Sequence, residues 1–236
     1  MYVNKVSQYV SPLSYSLIMA VDSRGGMGLR NSLPWKEAGV DNKSDMQWFR
    51  EKTKGKIIVM GYNTWVSIGR KPLPGRYNVI ISDTHHAEVT EDLKNWSDEY
   101  YKTEKGQAAP IHSMVAKSPI VAMNALETTL GGAHRGGEVM VIGGARIYDA
   151  FMPKTSRIYL TTFDGEFEAD TFVHLNLKKW DLVYRDAIKY LEPKFEIWHG
   201  TEEAAKLPDS EFIQISHEYK PAEGWIANVR KNKVEE

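Results

Sequence analysis

The chain contains no cysteine, and none of its apolar runs approaches the roughly 20 residues that a membrane-spanning helix needs. The first absence excludes disulfide bonds and thiolate metal sites, and it is typical of proteins from a reducing compartment. The N-terminal text MYVNKVSQYVSPLSYS also lacks the apolar middle of a signal peptide. We therefore expect a cytoplasmic protein with no membrane partner.

A large excess of one charge is also missing, because 30 basic residues are nearly balanced by 31 acidic residues. A chain without a strong positive field is not drawn to nucleic acid, so we expect a small-molecule partner and no nucleic acid. The seven histidines show no metal-ligand spacing, and we expect no metal. The chain also lacks a G-x-S-x-G elbow, a phosphate-loop Lys-Ser/Thr and a G-x-G-x-x-G motif.

Apolar residues make up 42% of the 236 residues, which is enough for one sizeable core, and we expect a single domain over residues 1–236. Short runs of β-branched and large apolar residues predict strands, with helical patterns between them. The predicted fold class is α/β, a mostly parallel twisted central sheet with flanking helices and a C-terminal antiparallel hairpin. The predicted strands are Leu17–Val21, Ile57–Met60, Val79–Ile81, Val139–Ile142 and Arg157–Thr162.

Capping signals predict three of the helices. The first carries a capping-box spacing, Ser44 with Gln47 three residues later. The second begins near Asn63, and the third extends from Asn124 to about Leu130 with Asn124 as its cap.

Two polar segments, 85–118 and 184–210, interrupt the alternation of strands and helices, and we predict that both are insertions. After the second segment, the text FIQISHEYKPAEGWIANVR predicts two strands around a turn at Pro221 to Gly224. This is the predicted C-terminal hairpin.

Several short motifs carry residues with chemical potential. Gly61 and the Gly143–Gly144 pair each end a buried strand where a helix begins, which favours anion binding but also suits an ordinary turn. Arg76 follows the rigid text Pro-Leu-Pro-Gly and suits capture of a carboxylate, although an arginine beside a turn is more often solvated. Asp45 lies in the first turn of a helix whose Met46 and Phe49 are predicted to face the core. An acid at this position can have a purely structural role, because it complements the helix dipole.

The glycine-rich stretch Gly26–Trp35 follows the first strand without forming a helical pattern. Its glycines predict a mobile loop, and its apolar end, Leu33 to Trp35, is suited to cover a cleft. A plain surface loop is the alternative.

These motifs occur together in one order, and the ordered set resembles the dihydrofolate reductase family from about Leu17 to Val173, and more loosely beyond. The resemblance implies hydride transfer from NADPH to C6 of 7,8-dihydrofolate, giving 5,6,7,8-tetrahydrofolate, with dihydrofolate and antifolates as ligands. The motifs are Ala20-x-Asp22, Gly28, Leu33-Pro34-Trp35, Asp45-x-x-x-Phe49, Met60-Gly61-x-x-Thr64-x-x-Ser67-Ile68-Gly69, Leu73-Pro74-Gly75-Arg76, Ile142-Gly143-Gly144-Ala145-x-Ile147-Tyr148, Leu160-Thr161 and Asp170-Thr171.

The resemblance also implies roles for individual residues. Asp45 is the buried acid that hydrogen-bonds N3 and the 2-amino group of the pterin, and the hydroxyl of Thr161 bridges to it. With Leu33 and Trp35 of the loop, these two residues form the implied catalytic set. Arg76 grips the α-carboxylate of the glutamate tail. The implied substrate-binding residues are Ile18, Ala20, Asp45, Met46, Phe49, Ile68, Leu73, Arg76, Ile142, Tyr148 and Thr161.

The implied cofactor-binding residues are Ala20, Met27, Gly61, Tyr62, Asn63, Thr64, Ser82, Asp83, Ile142, Gly143, Gly144, Ala145, Arg146 and Ile147. Tyr62 and Asp83 depart from the family, whose NADPH-selective members often have arginine at the position of Tyr62 and serine or arginine at the position of Asp83. An acid near a 2′-phosphate repels it, so we predict weakened discrimination against NADH. His85 and His86 are candidates for the missing positive charge.

Two other interpretations stay open beside this one. The related pyrimidine reductase of riboflavin synthesis shares the fold and the cofactor, but it would not require Asp45, Arg76 and Thr161 together. A structural or binding protein that kept the fold is the other, with the two predicted insertions as contact surfaces. The sequence leaves a monomer and a homodimer equally open.

Overall fold

A computed structural model of the chain describes residues 13–108, 111–130, 137–178, 180–186, 193–201 and 213–216. Eight strands form the main sheet in the order β5-β4-β3-β6-β1-β7-β10-β9. The first six strands in that order are parallel to their neighbours, and β10 and β9 add an antiparallel edge. These strands are β1 (Ser14–Val21), β3 (Ile57–Gly61), β4 (Tyr77–Ile81), β5 (Ser113–Ala116), β6 (Glu138–Gly143), β7 (Thr155–Thr162), β9 (Trp180–Asp186) and β10 (Lys194–Gly200).

A second sheet of three antiparallel strands lies beside the first, in the order β11-β8-β2. Its strands are β2 (Gly26–Gly28), β8 (Thr171–Leu175) and β11 (Ile213–Ser216). The helices are α1 (Pro34–Glu37), α2 (Lys43–Thr53), α3 (Tyr62–Ser67), α4 (His86–Tyr100), α5 (Glu104–Ala108), α6 (Pro119–Ala125) and α7 (Ala145–Phe151). Among the residues described, no helix is long and apolar enough to cross a membrane.

Successive residues of the central strands point to opposite faces of the main sheet, and each face has its own apolar cluster. On one face, Leu17 and Val59 pack with residues of α6 and α7. On the other face, Ile18 and Ile58 pack with α3, with α4 and with the partly buried aromatic residues of α2. Burial on both faces explains why the predicted strands were continuous apolar runs, and all five of those predictions are confirmed.

Two of the predicted helix caps are wrong. Helix α2 begins one residue before Ser44, and its capping position, Asn42, makes no side-chain cap, while Gln47 donates to Glu51 over 2.9 Å. The third predicted helix begins at Pro119, where the Ser118 hydroxyl accepts from the N–H of Val121. In both cases the pattern alone suggested a cap at a residue that the helix had already passed.

Both segments predicted as insertions contain regular elements. The segment 85–118 holds α4, α5 and β5, so most of it is a crossover that adds an edge strand to the sheet beside β4. The segment 184–210 begins with the end of β9 and contains all of β10. It therefore supplies strands of the main sheet. Its sequence is polar because β9 forms the exposed edge of that sheet.

The described residues include an antiparallel hairpin, which is formed by β9 and β10. Of the predicted hairpin around Pro221 to Gly224, only Ile213–Ser216 lies within the described residues, and this strand pairs with β8. Strand β10 was not predicted from the sequence, and it buries a charged residue, Glu196, which is 2% exposed and paired with Arg185 and Lys194.

Candidate active site

The carboxyl ends of four adjacent parallel strands meet at one edge of the main sheet. They bring together Gly61 of β3, Gly143 of β6, Ala20 of β1 and Thr161 of β7, and the last two are directly paired across the sheet. This edge is the usual ligand-binding position in parallel α/β sheets. The residues predicted for the site therefore converge although they lie far apart in the sequence.

Asp45 is the charged group of this edge. It lies in the first turn of α2, only 7% of it is exposed, and the hydroxyl of Thr161, which is 1% exposed, hydrogen-bonds to its carboxylate. Burial raises the pKa of Asp45 to about 6, and the hydrogen bond from Thr161 opposes this shift. The predicted pair is thus assembled, with a carboxyl group that is costly to keep charged without a further partner.

Tyr148 of α7 reaches the same edge from the other face of the sheet. Its hydroxyl donates to the carbonyl oxygen of Ile18 over 2.7 Å, and burial together with the negative charge of Asp45 raises its pKa. Gly143 lies directly above, with φ of +119° and a peptide bond to Gly144 that is cis. A Cβ atom on Gly143 would lie 3.2 Å from the Tyr148 hydroxyl and 3.4 Å from Oγ1 of Thr64, so only glycine fits there.

Five of the predicted substrate-binding residues share one apolar cluster. Ile18 is buried in it, and four more pack against it while partly exposed, namely Phe49, Ile68, Leu73 and Ile142. Met46 is different, because 42% of it is exposed, and the expectation that it points at the core is wrong. It belongs to the surface of α2, next to the buried Asp45.

Arg76 is held in place by several contacts. Its Nε donates to Oγ1 of Thr53 over 2.8 Å, one terminal nitrogen donates to the carbonyl oxygen of Pro74 over 2.7 Å, and its guanidinium lies 5.8 Å from the Phe49 ring. Burial and the nearby charge of Arg50 lower its pKa. The guanidinium is therefore fixed at the end of α2 without any carboxylate partner among the ion pairs of the described residues.

The loop between β1 and α1 is attached to the loop that follows β7. Trp35 is fully buried and stacks on Phe163, with ring centroids 4.2 Å apart. The N–H of Arg30 donates to Asp170 over 2.7 Å, and the N–H of Asp170 donates to the carbonyl oxygen of Gly28 over 2.9 Å. Trp35 is thus a packed residue at the base of the loop, and the partly exposed Met27 and Leu33 both precede it in sequence.

The residues predicted to bind the far end of the cofactor lie where β3 and β4 end. Tyr62 stacks face to face on His85 at 3.8 Å between ring centroids, and its hydroxyl accepts from Arg70. Arg70 in turn makes ion pairs with Glu88 and Asp92. The neighbouring Ser82 is buried and accepts from the N–H of His85, whereas Asp83, Asn63 and Arg146 are exposed.

Comparison with known proteins identifies this arrangement. The family model for dihydrofolate reductase matches residues 14–116 and 111–197, which is more than half of the chain. The chain belongs to the dihydrofolate reductase family. It is 30% identical over 175 residues to the dihydrofolate reductase of Buchnera aphidicola subsp. Schizaphis graminum, covering 73% of this chain and 88% of that protein.

Other dihydrofolate reductases show the same extent of similarity. The chain is 27% identical over 173 residues to that of Haemophilus influenzae, covering 73% of this chain and 86% of the relative. A solved dihydrofolate reductase from Enterococcus faecalis, complexed with NADP(H) and RAB-propyl, matches with a TM-score of 0.55 and 21% identity, over 79% of this chain and 95% of that one. The predicted family and α/β fold are confirmed, and with them the prediction that the chain is an oxidoreductase.

Sequence reasoning missed three residues that support the dihydrofolate reductase site. Thr53 anchors Arg76, and its position eight residues after Asp45 puts both on one face of α2. Asn78 is fully buried and holds the Leu73–Arg76 segment through both backbone groups of Leu73 and the carbonyl oxygen of Arg76. Asp22 was part of a quoted motif but had no assigned role.

Proposed function

We propose that this member of the dihydrofolate reductase family transfers a hydride from NADPH to C6 of 7,8-dihydrofolate, giving 5,6,7,8-tetrahydrofolate. One observation carries the proposal: Asp45 is a lone carboxyl group, 7% exposed, joined to Thr161 at the edge where the strand ends meet. A buried carboxylate with a single side-chain partner is stabilised by a ligand that offers two parallel N–H donors. The amidine-like edge of a pterin is such a ligand.

The role of Asp45 is to hold and polarise the pterin ring. With a pKa of about 6, its carboxyl group is mostly ionised near neutral pH and accepts from N3 and the 2-amino group. N5 lies on the opposite side of the ring, so we expect water to supply its proton. Thr161 keeps the carboxylate in one orientation, and Phe49, Ile68 and Leu73 exclude water from the ring faces.

Arg76 is proposed to bind the α-carboxylate of the glutamate tail. Its Nε and both terminal nitrogens donate to Thr53, Pro74 and Arg50, and these contacts fix the plane of the guanidinium. A guanidinium fixed in this way recognises a carboxylate at small entropic cost. This contact lies far from the reacting carbons and therefore contributes to substrate affinity more than to the chemical step.

When bound, NADPH supplies the hydride. The residues present fit such a cofactor, because Gly143 and Gly144 place no side chain between Tyr148 and Thr64. Ala20, Met27 and Ile142 are proposed to flank the nicotinamide, and Asn63, Thr64 and Arg146 the phosphates and ribose. The buried indole N–H of Trp35 has no hydrogen-bond acceptor among the described residues, which suits a polar ligand or its hydration shell.

Selectivity for the 2′-phosphate is proposed to be weak. Arg70 is the cation beside Tyr62, but it is paired with two carboxylates, Glu88 and Asp92. The exposed Asp83 adds negative charge at the end of β4. NADH is therefore expected to serve as an alternative reductant. His85 and His86 are the candidates for positive charge at this end of the site.

The decisive experiment follows the loss of cofactor absorbance when purified protein is mixed with dihydrofolate and NADPH, with and without methotrexate. We expect turnover that methotrexate inhibits. Turnover of a pyrimidine substrate in place of dihydrofolate would favour the pyrimidine reductase. Folded protein without any turnover would favour a structural role for the fold.

A further inference from the structure

We infer that Asp22 is a positioning residue for hydride transfer, an inference that rests on the proposed reductase function. Asp22 follows the last residue of β1 and is fully buried. Its carboxylate accepts hydrogen bonds from backbone N–H groups of two loops. It joins the loop before α1 to the loop after β7, and we infer that this junction sets where the nicotinamide lies.

The carboxylate of Asp22 accepts three backbone hydrogen bonds. Oδ1 accepts from the N–H groups of Arg24, over 2.8 Å, and Gly26, over 2.7 Å. Oδ2 accepts from the N–H of Phe167, over 3.0 Å, which lies in the loop after β7. One side chain therefore closes its own turn and holds a second loop 145 residues away in the sequence.

The space around this junction is filled. A Cβ atom on Gly26 would lie 2.8 Å from Oδ2 of Asp22 and 2.9 Å from Cβ of Ala169. Two further contacts reinforce the same pair of loops, since the N–H of Ser23 donates to the carbonyl oxygen of Gly165 over 2.9 Å and Arg24 donates to that of Phe167 over 2.7 Å. The two loops have no room to shift unless the Asp22 contacts change.

The junction lies between two groups assigned to the cofactor. Ala20 precedes Asp22 by two residues, and Met27 follows Gly26 directly. Both are proposed to contact the nicotinamide end, so the turn that Asp22 closes determines the distance between them. A displacement of about 1 Å in reacting groups can lower a rate by about a hundredfold. Asp22 is thus placed to affect the chemical step without touching the reacting atoms.

Asp22→Asn separates the two halves of the junction. An amide has one acceptor oxygen and one NH2 donor. If its oxygen keeps the hydrogen bonds from Arg24 and Gly26, its NH2 group faces the N–H of Phe167, and two donors cannot form a hydrogen bond. We expect kcat to fall by about tenfold or more, with the Michaelis constant for dihydrofolate within about twofold of the wild type. The isotope effect with C4-deuterated NADPH should rise, because the chemical step becomes rate-limiting. Asp164→Asn makes the same change at an exposed site in the same loop and should leave both constants unchanged.

Gly26→Ala tests the same junction with the Asp22 carboxylate still present, because its added methyl group would crowd Oδ2 of Asp22 and Ala169, and it decides the matter if Asp22→Asn does not fold. Gly26→Ala should also lower kcat. The further loss of kcat that it causes in the Asp22→Asn variant should be smaller than its loss in the wild type, because both substitutions disrupt the same junction. A normal kcat per folded molecule in either variant, or a loss explained fully by a smaller folded fraction, would overturn the inference. Wild-type protein without turnover would instead contradict the proposed function, and amide hydrogen exchange at Gly26 and Phe167 would then test the junction. Faster exchange at both amides in Asp22→Asn would support the junction, and unchanged exchange would refute it.

Discussion

Replacement of Asp45 by asparagine is expected to stabilise the ligand-free protein above about pH 6, even though it removes the central residue of the site. Burial raises the pKa of this carboxyl group from 3.8 to about 6, so the folded protein binds its proton more tightly than the unfolded chain. As pH rises from about 4 to about 6, the unfolded chain loses the proton first, and the free energy of unfolding falls. Asparagine has no charge to bury and avoids this loss.

The size of the effect follows from the shift in pKa. A shift of about 2 units corresponds to about 3 kcal/mol, which is the cost of the buried charge at pH 8. In a chain of this length, that difference raises the midpoint of thermal unfolding by about 6 to 12 °C. Below about pH 4 both forms of residue 45 are neutral, and the advantage of the variant disappears.

Urea unfolding of wild type and Asp45→Asn at about pH 4, 6 and 8 measures this difference directly. The free energy gained by the variant should grow from near zero at the lowest pH to its full value at the highest. Glu91→Gln removes a carboxylate from an exposed position on α4 and should change stability by less than about 0.5 kcal/mol at every pH. A variant that is no more stable than the wild type at pH 8, or a gain independent of pH, would refute the reasoning.

Two further predictions concern the ends of the site. Arg76→Leu should raise the Michaelis constant for dihydrofolate about 10- to 100-fold in steady-state kinetics, with kcat within about twofold, because a fixed charged contact remote from the reacting carbons is lost. Arg76→Lys keeps the positive charge but not the two parallel donors of the guanidinium, so its Michaelis constant should lie between those of the wild type and Arg76→Leu. An unchanged Michaelis constant in both variants would show that Arg76 does not bind the substrate. Steady-state kinetics with both cofactors should show a preference for NADPH well below a thousandfold, since Arg70 is already paired; a ratio of about a thousandfold or more, roughly 4 kcal/mol, would contradict the weak selectivity.

The sequence predicted the central strands because burial on both faces leaves a local signal. Ile57–Gly61 and Glu138–Gly143 have apolar side chains at every buried position except the final glycine, and no partner needs to be known to recognise them. Strand order and register are long-range properties, and nothing local shows that β6 lies between β3 and β1. Helix α4 and strand β9 were not predicted for a different reason. Helix α4 is exposed on one side and β9 along most of its length, so neither has a continuous apolar pattern.

The residues of the site could be predicted from the ordered motifs, whereas the residues that hold them in place could not. Asp45 and Thr161 were paired in advance only through the family resemblance, and their contact now has a physical description in burial and a hydrogen bond. Thr53 and Asn78 act by holding Arg76 and its loop, and a buried threonine or asparagine has no distinctive spacing. Met46 was misjudged because helical periodicity does not show which part of a face is covered by other elements.

The central claim is that the buried carboxylate of Asp45 recognises the pterin edge and aligns it with the reductant. Single-turnover hydride transfer by Asp45→Asn near neutral pH, compared with the wild type at saturating NADPH and dihydrofolate, tests this claim most directly. The account predicts that the variant binds NADPH with unchanged affinity but transfers hydride at least about a hundredfold more slowly, because an amide cannot offer two acceptors. Hydride transfer at the wild-type rate in the folded variant would show that another group recognises the substrate.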